Sequence, residues 1–138
     1  MKPLKLLLVE DSVPCRQLFE CLIEDVRGDV ATQIECDLAR TGPEALELVA
    51  KGAYDALILD QNMPGMSGLE VLASLRRLWQ GTRHPKVLAY SSCDAPDFRR
   101  RCLAAGADAF APKYMGASEF IAVLKQLGLI TGPGGATG

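Results

Sequence analysis

Positive charge is in short supply in this 138-residue sequence, where 15 Lys and Arg are outnumbered by 17 Asp and Glu for a formal net charge of −2. Without a positive excess there is no broad field to hold a phosphodiester backbone, which argues against a nucleic-acid binder. Long apolar runs are also missing. Stretches such as Leu6 to Val9 and Ala56 to Leu59 end quickly in polar residues, whereas a membrane span needs about twenty apolar residues in a row. The opening MKPLKLLLVED is cut short by Glu10 and Asp11, and no small-residue cleavage site follows, so it is not expected to be a signal peptide. The single histidine, His84, and the absence of a C-x-x-C pair leave too few ligands for a tetrahedral metal site. Five cysteines, Cys15, Cys21, Cys36, Cys93 and Cys102, are an odd number and read as reduced, cytoplasmic thiols. Neither a Walker A sequence nor G-x-G-x-x-G follows the first apolar run, which sets aside a nucleotide-binding fold.

What is present is an ordinary globular composition, 49% hydrophobic and 23% charged. A chain of this length buries about two-thirds of its surface on folding, enough for one domain with a real core. Short apolar runs alternate with helical periodicity, the signature of an α/β fold with a parallel sheet covered on both faces. The strands are expected at residues 4–9, 33–38, 54–59, 86–90 and 108–111. Residues 33–38 alternate in polarity, as an edge strand does. Helix starts are expected at Ser12 and Asp94, each two residues before a proline, and at the capping boxes Thr41 with Glu44 and Ser67 with Glu70. Core stripes are Leu18, Phe19, Leu22, Ile23 and Val26, and Leu69, Leu72, Leu75 and Trp79. The domain is expected to span 1–127, followed by a Gly-rich tail at 128–138 of which about the last seven residues are flexible.

In an open parallel sheet the ligand site lies at the carboxyl ends of the strands. Glu10 and Asp11 follow the first strand, Asp60 ends the third, Ser91 and Ser92 end the fourth, and Lys113 lies just past the fifth. Three converging carboxylates repel one another unless a cation neutralises them, so a divalent ion is implied. Oxygen-only ligation in a site open to water suits Mg²⁺, which commonly joins carboxylates to a phosphate that Lys113 could hold. Carboxylates also serve as nucleophiles toward phosphoryl groups, and the turn-rich Asp60-Gln61-Asn62-Met63-Pro64-Gly65 loop would expose Asp60 as the acceptor. A solvated strand edge, the plainer reading, gives no reason for Ser91 and Lys113 to complete the set.

Four motifs, LLLVEDS, LILDQNMPGMSG, LAYSS and FAPK, resemble in order and spacing the receiver domain of bacterial two-component response regulators, over roughly residues 4 to 127. The resemblance implies a flavodoxin-like, doubly wound sheet of strand order 2-1-3-4-5 with five helices. It implies that Glu10 and Asp11 are the acidic pair and Asp60 the phosphorylated aspartate. Asn62 would be a backbone-carbonyl Mg²⁺ ligand, Ser91 the switch hydroxyl, Lys113 the phosphate-binding lysine and Phe110 the switch aromatic. The phosphoryl group would come from a phosphohistidine on a sensor histidine kinase or phosphotransfer protein. Asn62 and Cys93, two positions beyond Asp60 and Ser91, would tune its hydrolysis.

The pattern departs from the family at Lys113, where Tyr114 replaces the usual proline and Pro112 precedes. A cis bond before a non-proline residue costs about 3 kcal/mol, so a trans Lys113–Tyr114 bond and an altered loop are expected. Glu10 stands where Asp is commoner, and Phe110 supplies a ring without a hydroxyl. Of the remaining residues, Arg99, Arg100 and Arg101 read as a solvated face, His84 as a surface loop residue, and Cys21 and Cys102 as small core residues. Met63 and Met66 read as loop packing and Trp79 as a helix-end core residue. Cys93 as an oxidation sensor lacks a neighbour to activate its thiol. Eleven residues after Leu127 hold no DNA-binding effector, so the output is expected to be contact with a downstream protein, by a monomer or a weak phosphorylation-dependent dimer. Two alternatives are a degenerate receiver serving as a phosphorylation-independent scaffold, and an aspartate-nucleophile phosphatase. The latter needs a second acid where Asn62 stands.

Overall fold

Alternating apolar runs and capped helices give five strand–helix units in the computed structural model, which describes residues 2–61, 63, 65–80, 84–93 and 95–131. In chain order they are β1 (Leu4–Val9), α1 (Val13–Asp29), β2 (Ile34–Ala39), α2 (Gly42–Lys51), β3 (Ala56–Asp60), α3 (Gly68–Leu78), β4 (Lys86–Ser91), α4 (Pro96–Ala104), β5 (Ala109–Pro112) and α5 (Ala117–Gln126). The strands are all parallel in the order β2-β1-β3-β4-β5, the flavodoxin-like topology expected, with β2 at an edge. Period-two alternation divides the core into two layers. Leu6, Leu8, Ile58 and Leu88 face Phe19, Ile23 and Phe120 of α1 and α5, while Leu7, Val9, Leu57 and Leu59 face Val71, Leu75 and Cys102 of α3 and α4.

The helix starts follow from their caps. Ser12 Oγ accepts from the Cys15 amide at the head of α1, Thr41 Oγ1 from Glu44 at α2, and Ser67 and Glu70 form a complete capping box at α3. At α2 the box is only half made, because Glu44 Oε1 accepts from the Arg40 amide, one residue before the cap. The start expected at Asp94 lies outside the described residues; Ala95 stands before Pro96 and offers no side-chain cap.

Two expected core residues are not in the core. Leu18 is 60% exposed, because α1 meets the sheet through Phe19, Leu22, Ile23 and Val26 and Leu18 falls at the margin of that stripe. Cys21 is likewise exposed on the outer side of the helix. Leu69 and Trp79 only flank the core, and Val71 takes the buried place beside Leu72 and Leu75. His84 is at the surface as expected, its ring stacked on Trp79 at 4.7 Å. The packed chain runs past Leu127: Ile130 is buried against α1 and α5, since Leu129 and Ile130 are apolar. Residues 132–138, where the flexible end was expected, lie outside the described residues. Among the described residues no helix is long and apolar enough to cross a membrane.

Candidate phosphoacceptor site

The parallel register brings the carboxyl ends of β1, β3, β4 and β5 to one edge. Asp60 is the last residue of β3 and pairs with Tyr90, which places Ser91 one position further along β4, and Ser91 pairs with Pro112 of β5. Two bonds extend this ladder past the strands: Gln61 N–H donates to Tyr90 O at 3.2 Å, and Lys113 N–H to Ser91 O at 2.8 Å. Glu10 is anchored to the β2 side by donating its N–H to Ala39 O.

Glu10, Asp60 and Ser91 are fully buried, and Glu10, Asp11 and Asp60 each offer a carboxylate oxygen within 4.8 Å of the others. Lys113 reaches into this cluster, its Nζ 2.7 Å from Glu10 Oε1 and 3.0 Å from Asp60 Oδ1. Burial, opposed by the Lys113 hydrogen bond and reinforced by Asp60, raises the Glu10 carboxyl to about 7. Burial lowers the Lys113 ammonium, but its hydrogen bonds to Glu10 and Asp60 outweigh this and hold it above the ordinary lysine value. A single ammonium against three carboxylates leaves a negative excess, and Glu10, Asp11 and Asp60, the three residues whose ligand atoms converge, offer carboxylate oxygens alone. That donor set fits a hard divalent cation.

Ser91 Oγ accepts from the Cys93 amide at 3.0 Å, and Cys93 itself is exposed. Phe110 is buried, its ring edge-on to Phe98 of α4 at 6.2 Å, with the Arg99 guanidinium 5.0 Å over its face. Arg99, Arg100 and Arg101 are all exposed, as expected of a solvated face; within it Arg99 lies over the Phe110 ring and Arg100 pairs with Asp97 on the same helix. Asn62 lies outside the described residues. The Lys113–Tyr114 bond is trans, as no cis peptide occurs among the described residues, and the loop turns instead through a Met115 N–H bond to Pro112 O. Met63 and Met66 pack on the α3 side of the core, as expected of loop packing.

Three residues at the site carried no signal recognised in the sequence. Gln61 is buried and folds back to donate from Nε2 to Leu59 O at 2.8 Å. Gly68 at the head of α3 comes so close to the Asp60 carbonyl that a Cβ there would collide with it. Cys15, in the first turn of α1, lies with its sulfur 3.4 Å from Lys113 Nζ. Its spacing from the Ser12 cap was the available clue.

The profile of the response regulator receiver domain matches residues 6–125. The chain belongs to the response regulator receiver domain family. It is 32% identical over 133 residues, 95% of its length, to the sensory/regulatory protein RpfC of Xanthomonas campestris, of which it spans only 17%. Among solved structures, the chemotaxis protein CheY4 of Vibrio cholerae superposes with a TM-score of 0.72 at 26% identity, covering 91% of this chain and 98% of that one. The Thermotoga maritima response regulator TrrA in complex with Mg(2+)-BeF gives 0.72 at 29% identity, covering 90% and 98%. The receiver is a signalling domain of two-component systems, and its fold accounts for the acidic edge.

Proposed function

We propose that this receiver takes a phosphoryl group onto Asp60 from a phosphohistidine on a sensor histidine kinase or phosphotransfer protein, and passes the signal to a downstream protein partner through a conformational switch. The observation that carries this reading is the Lys113 ammonium set between Glu10 and Asp60 beside a cluster of carboxylate oxygens. An Asp60 oxygen attacks phosphorus as the bond from phosphorus to the donor imidazole nitrogen breaks, leaving a mixed anhydride on Asp60 and a histidine that regains its proton from solvent. Glu10, Asp11 and Asp60 would hold Mg²⁺, with the Asn62 carbonyl as a further ligand by resemblance. When bound, the ion neutralises charge on the phosphoryl oxygens.

Lys113 presents its ammonium to those oxygens, and its backbone bond to Ser91 ties the two side chains to one ladder. Ser91 Oγ accepts from Cys93, so its own proton is available for a phosphoryl oxygen. Movement of Ser91 toward that oxygen would pull on the chain leading into α4, whose Phe98 and Arg99 pack on the Phe110 ring, and so alter the α4 surface. Water then cleaves the acyl phosphate at a rate tuned by the side chains of Asn62 and Cys93. The domain catalyses only these two steps on itself and works in the cytoplasm, as a monomer or a weak phosphorylation-dependent dimer.

The test is intact-mass spectrometry after incubation with Mg²⁺ and acetyl phosphate. One added phosphoryl group, absent in Asp60→Asn and in the presence of a chelator, is the expected result. A folded sample that takes no label, and releases no phosphate above the Asp60→Asn control, overturns the reading.

A further inference from the structure

An ammonium group has three N–H bonds to place and no accepting capacity. For Lys113, two acceptors are Glu10 Oε1 and Asp60 Oδ1, and a third is Cys15 Sγ at 3.4 Å. The contact joins the first turn of α1 to the end of β5, residues 98 positions apart in sequence. Cys15 is held in place by its own amide, which donates to the capping Ser12 Oγ, and Ser12 N–H in turn donates to Glu10 Oε2 at 3.3 Å. The sulfur, the cap and the carboxylate thus form one short chain around the cation.

The chemistry of the third acceptor matters because the pocket already carries three carboxylates. A fourth carboxylate would bind the ammonium tightly and compete with incoming phosphoryl oxygens. An aliphatic side chain would leave the third N–H no hydrogen-bond acceptor at that position, with the Tyr90 ring, its centroid 5.6 Å from Nζ, as the ammonium's remaining neighbour. A thiol sulfur is a weak, neutral acceptor, so it gives the ammonium a direction without neutralising it.

We propose that Cys15 is a positioning residue for Lys113, its sulfur taking the third N–H and keeping the ammonium aimed into the carboxylate pocket with its charge free for the phosphoryl group. The role in phosphoryl transfer rests on the reading of Asp60 as phosphoacceptor, whereas the contact itself does not.

The experiment uses the full chain with Cys15→Ala and Cys15→Ser, each alone and combined with Lys113→Ala, with circular dichroism to confirm folding. The Lys113 side-chain ¹⁵Nζ resonance, assigned by its loss in Lys113→Ala, is recorded without any phosphodonor. Asp60 labelling by acetyl phosphate and Mg²⁺ is then timed by intact mass. Cys15→Ala should shift the resonance and slow labelling about five-fold, the factor that goes with losing one modest hydrogen bond, and Cys15→Ser should recover part of both. Added to Lys113→Ala, the cysteine substitution should cost nothing more, since nothing is left to position. An unmoved resonance, or equal slowing in both backgrounds, overturns the proposal. If the unmodified chain takes no label at all, the phosphoacceptor reading fails and the resonance alone decides the role of Cys15.

Discussion

Gly68→Ala should destabilise the domain although alanine is the better helix former. Gly68 is the first residue of α3, and its φ is not in the left-handed region, so the backbone itself accepts a side chain. The obstacle is space. A Cβ would collide with the Asp60 carbonyl oxygen and come within 2.5 Å of Gln61 Nε2 and 2.7 Å of Gln61 Cδ. Neither neighbour can yield cheaply: one is backbone at the end of a central strand, and the other is a buried amide already bonded to Leu59 O. Overpacking of this kind costs about 1–3 kcal/mol, against a propensity gain of at most about 1 kcal/mol. The net loss should be about 1.5 kcal/mol, which for a domain of this size lowers Tm by about 5 °C.

Two other glycines separate the contact from the backbone. Gly28, in the last turns of α1, has nothing within 4 Å of a Cβ and an ordinary φ, so Gly28→Ala should stabilise by about 0.5 kcal/mol. Gly65 also has open space but a φ of 83°, so Gly65→Ala should lose about 1 kcal/mol through the backbone alone. Urea unfolding followed by circular dichroism ranks the three. Gly68→Ala should also slow Asp60 labelling, because the strain falls on the Asp60–Gln61 peptide, and Gly28→Ala should not. A Gly68→Ala protein as stable as Gly28→Ala refutes the reasoning, for it would mean that α3 can lift from β3 at no cost.

Ser67→Ala removes the side chain that caps α3 and breaks a two-bond capping box, so it should cost about 1 kcal/mol in the same urea assay. Cys36 is an exposed residue of the edge strand β2, yet its thiol lines a groove of about 280 Å³ between α1 and β2, where partial desolvation raises it from 9.0 to about 11. Iodoacetamide at pH 8 should therefore modify it about a hundred-fold more slowly than an unperturbed thiol, with the rate rising about ten-fold per pH unit until about pH 11; peptide mapping of the alkylated protein measures this. Tyr54 donates to Asp37 Oδ2 at 2.8 Å, and burial with this bond raises its phenol from 10.0 to about 12. The folded chain then holds that proton more tightly than the unfolded chain, so the contribution is complete below pH 10 and is lost as pH rises to about 12. Tyr54→Phe should cost about 1 kcal/mol at pH 7 and remove this loss from the stability–pH curve.

The strands and their order were legible because each layer of the core needs its own apolar register, and Leu4 to Val9 or Ala56 to Leu59 satisfy both layers at once. Ser12, Thr41 and Ser67 announced their helices because a cap is a local event, settled within three residues. Leu18 and Cys21 misled for the complementary reason. A helical stripe gives a face but not the width of sheet available to cover it, and α1 is narrower at its contact than its sequence pattern. The acidic residues, Ser91 and Lys113 were legible because strand ends collect at one edge in this topology. Gly68, Gln61 and Cys15 were not, since each acts through a close approach between segments whose separation no sequence spacing encodes. Arg99 belongs with them: its neighbours in sequence are charged, but its partner is an aromatic ring on β5.

That pairing bears on how a change at Asp60 could reach the surface. Asp60 and Ser91 end β3 and β4 and Lys113 lies one residue past β5, and the bonds from Gln61 to Tyr90 and from Lys113 to Ser91 continue the ladder beyond the sheet. A displacement of the Ser91 side chain therefore works against a fixed backbone frame and is passed on along the chain toward α4. The head of that helix has no side-chain cap at Ala95, and α4 buries only Cys102. Its remaining hold on the sheet includes Phe98 and Arg99 on the Phe110 ring. A weakly capped, lightly buried helix is the element with the lowest cost of movement. The ring is thus placed where it links the rigid strands to the helix that can most readily shift.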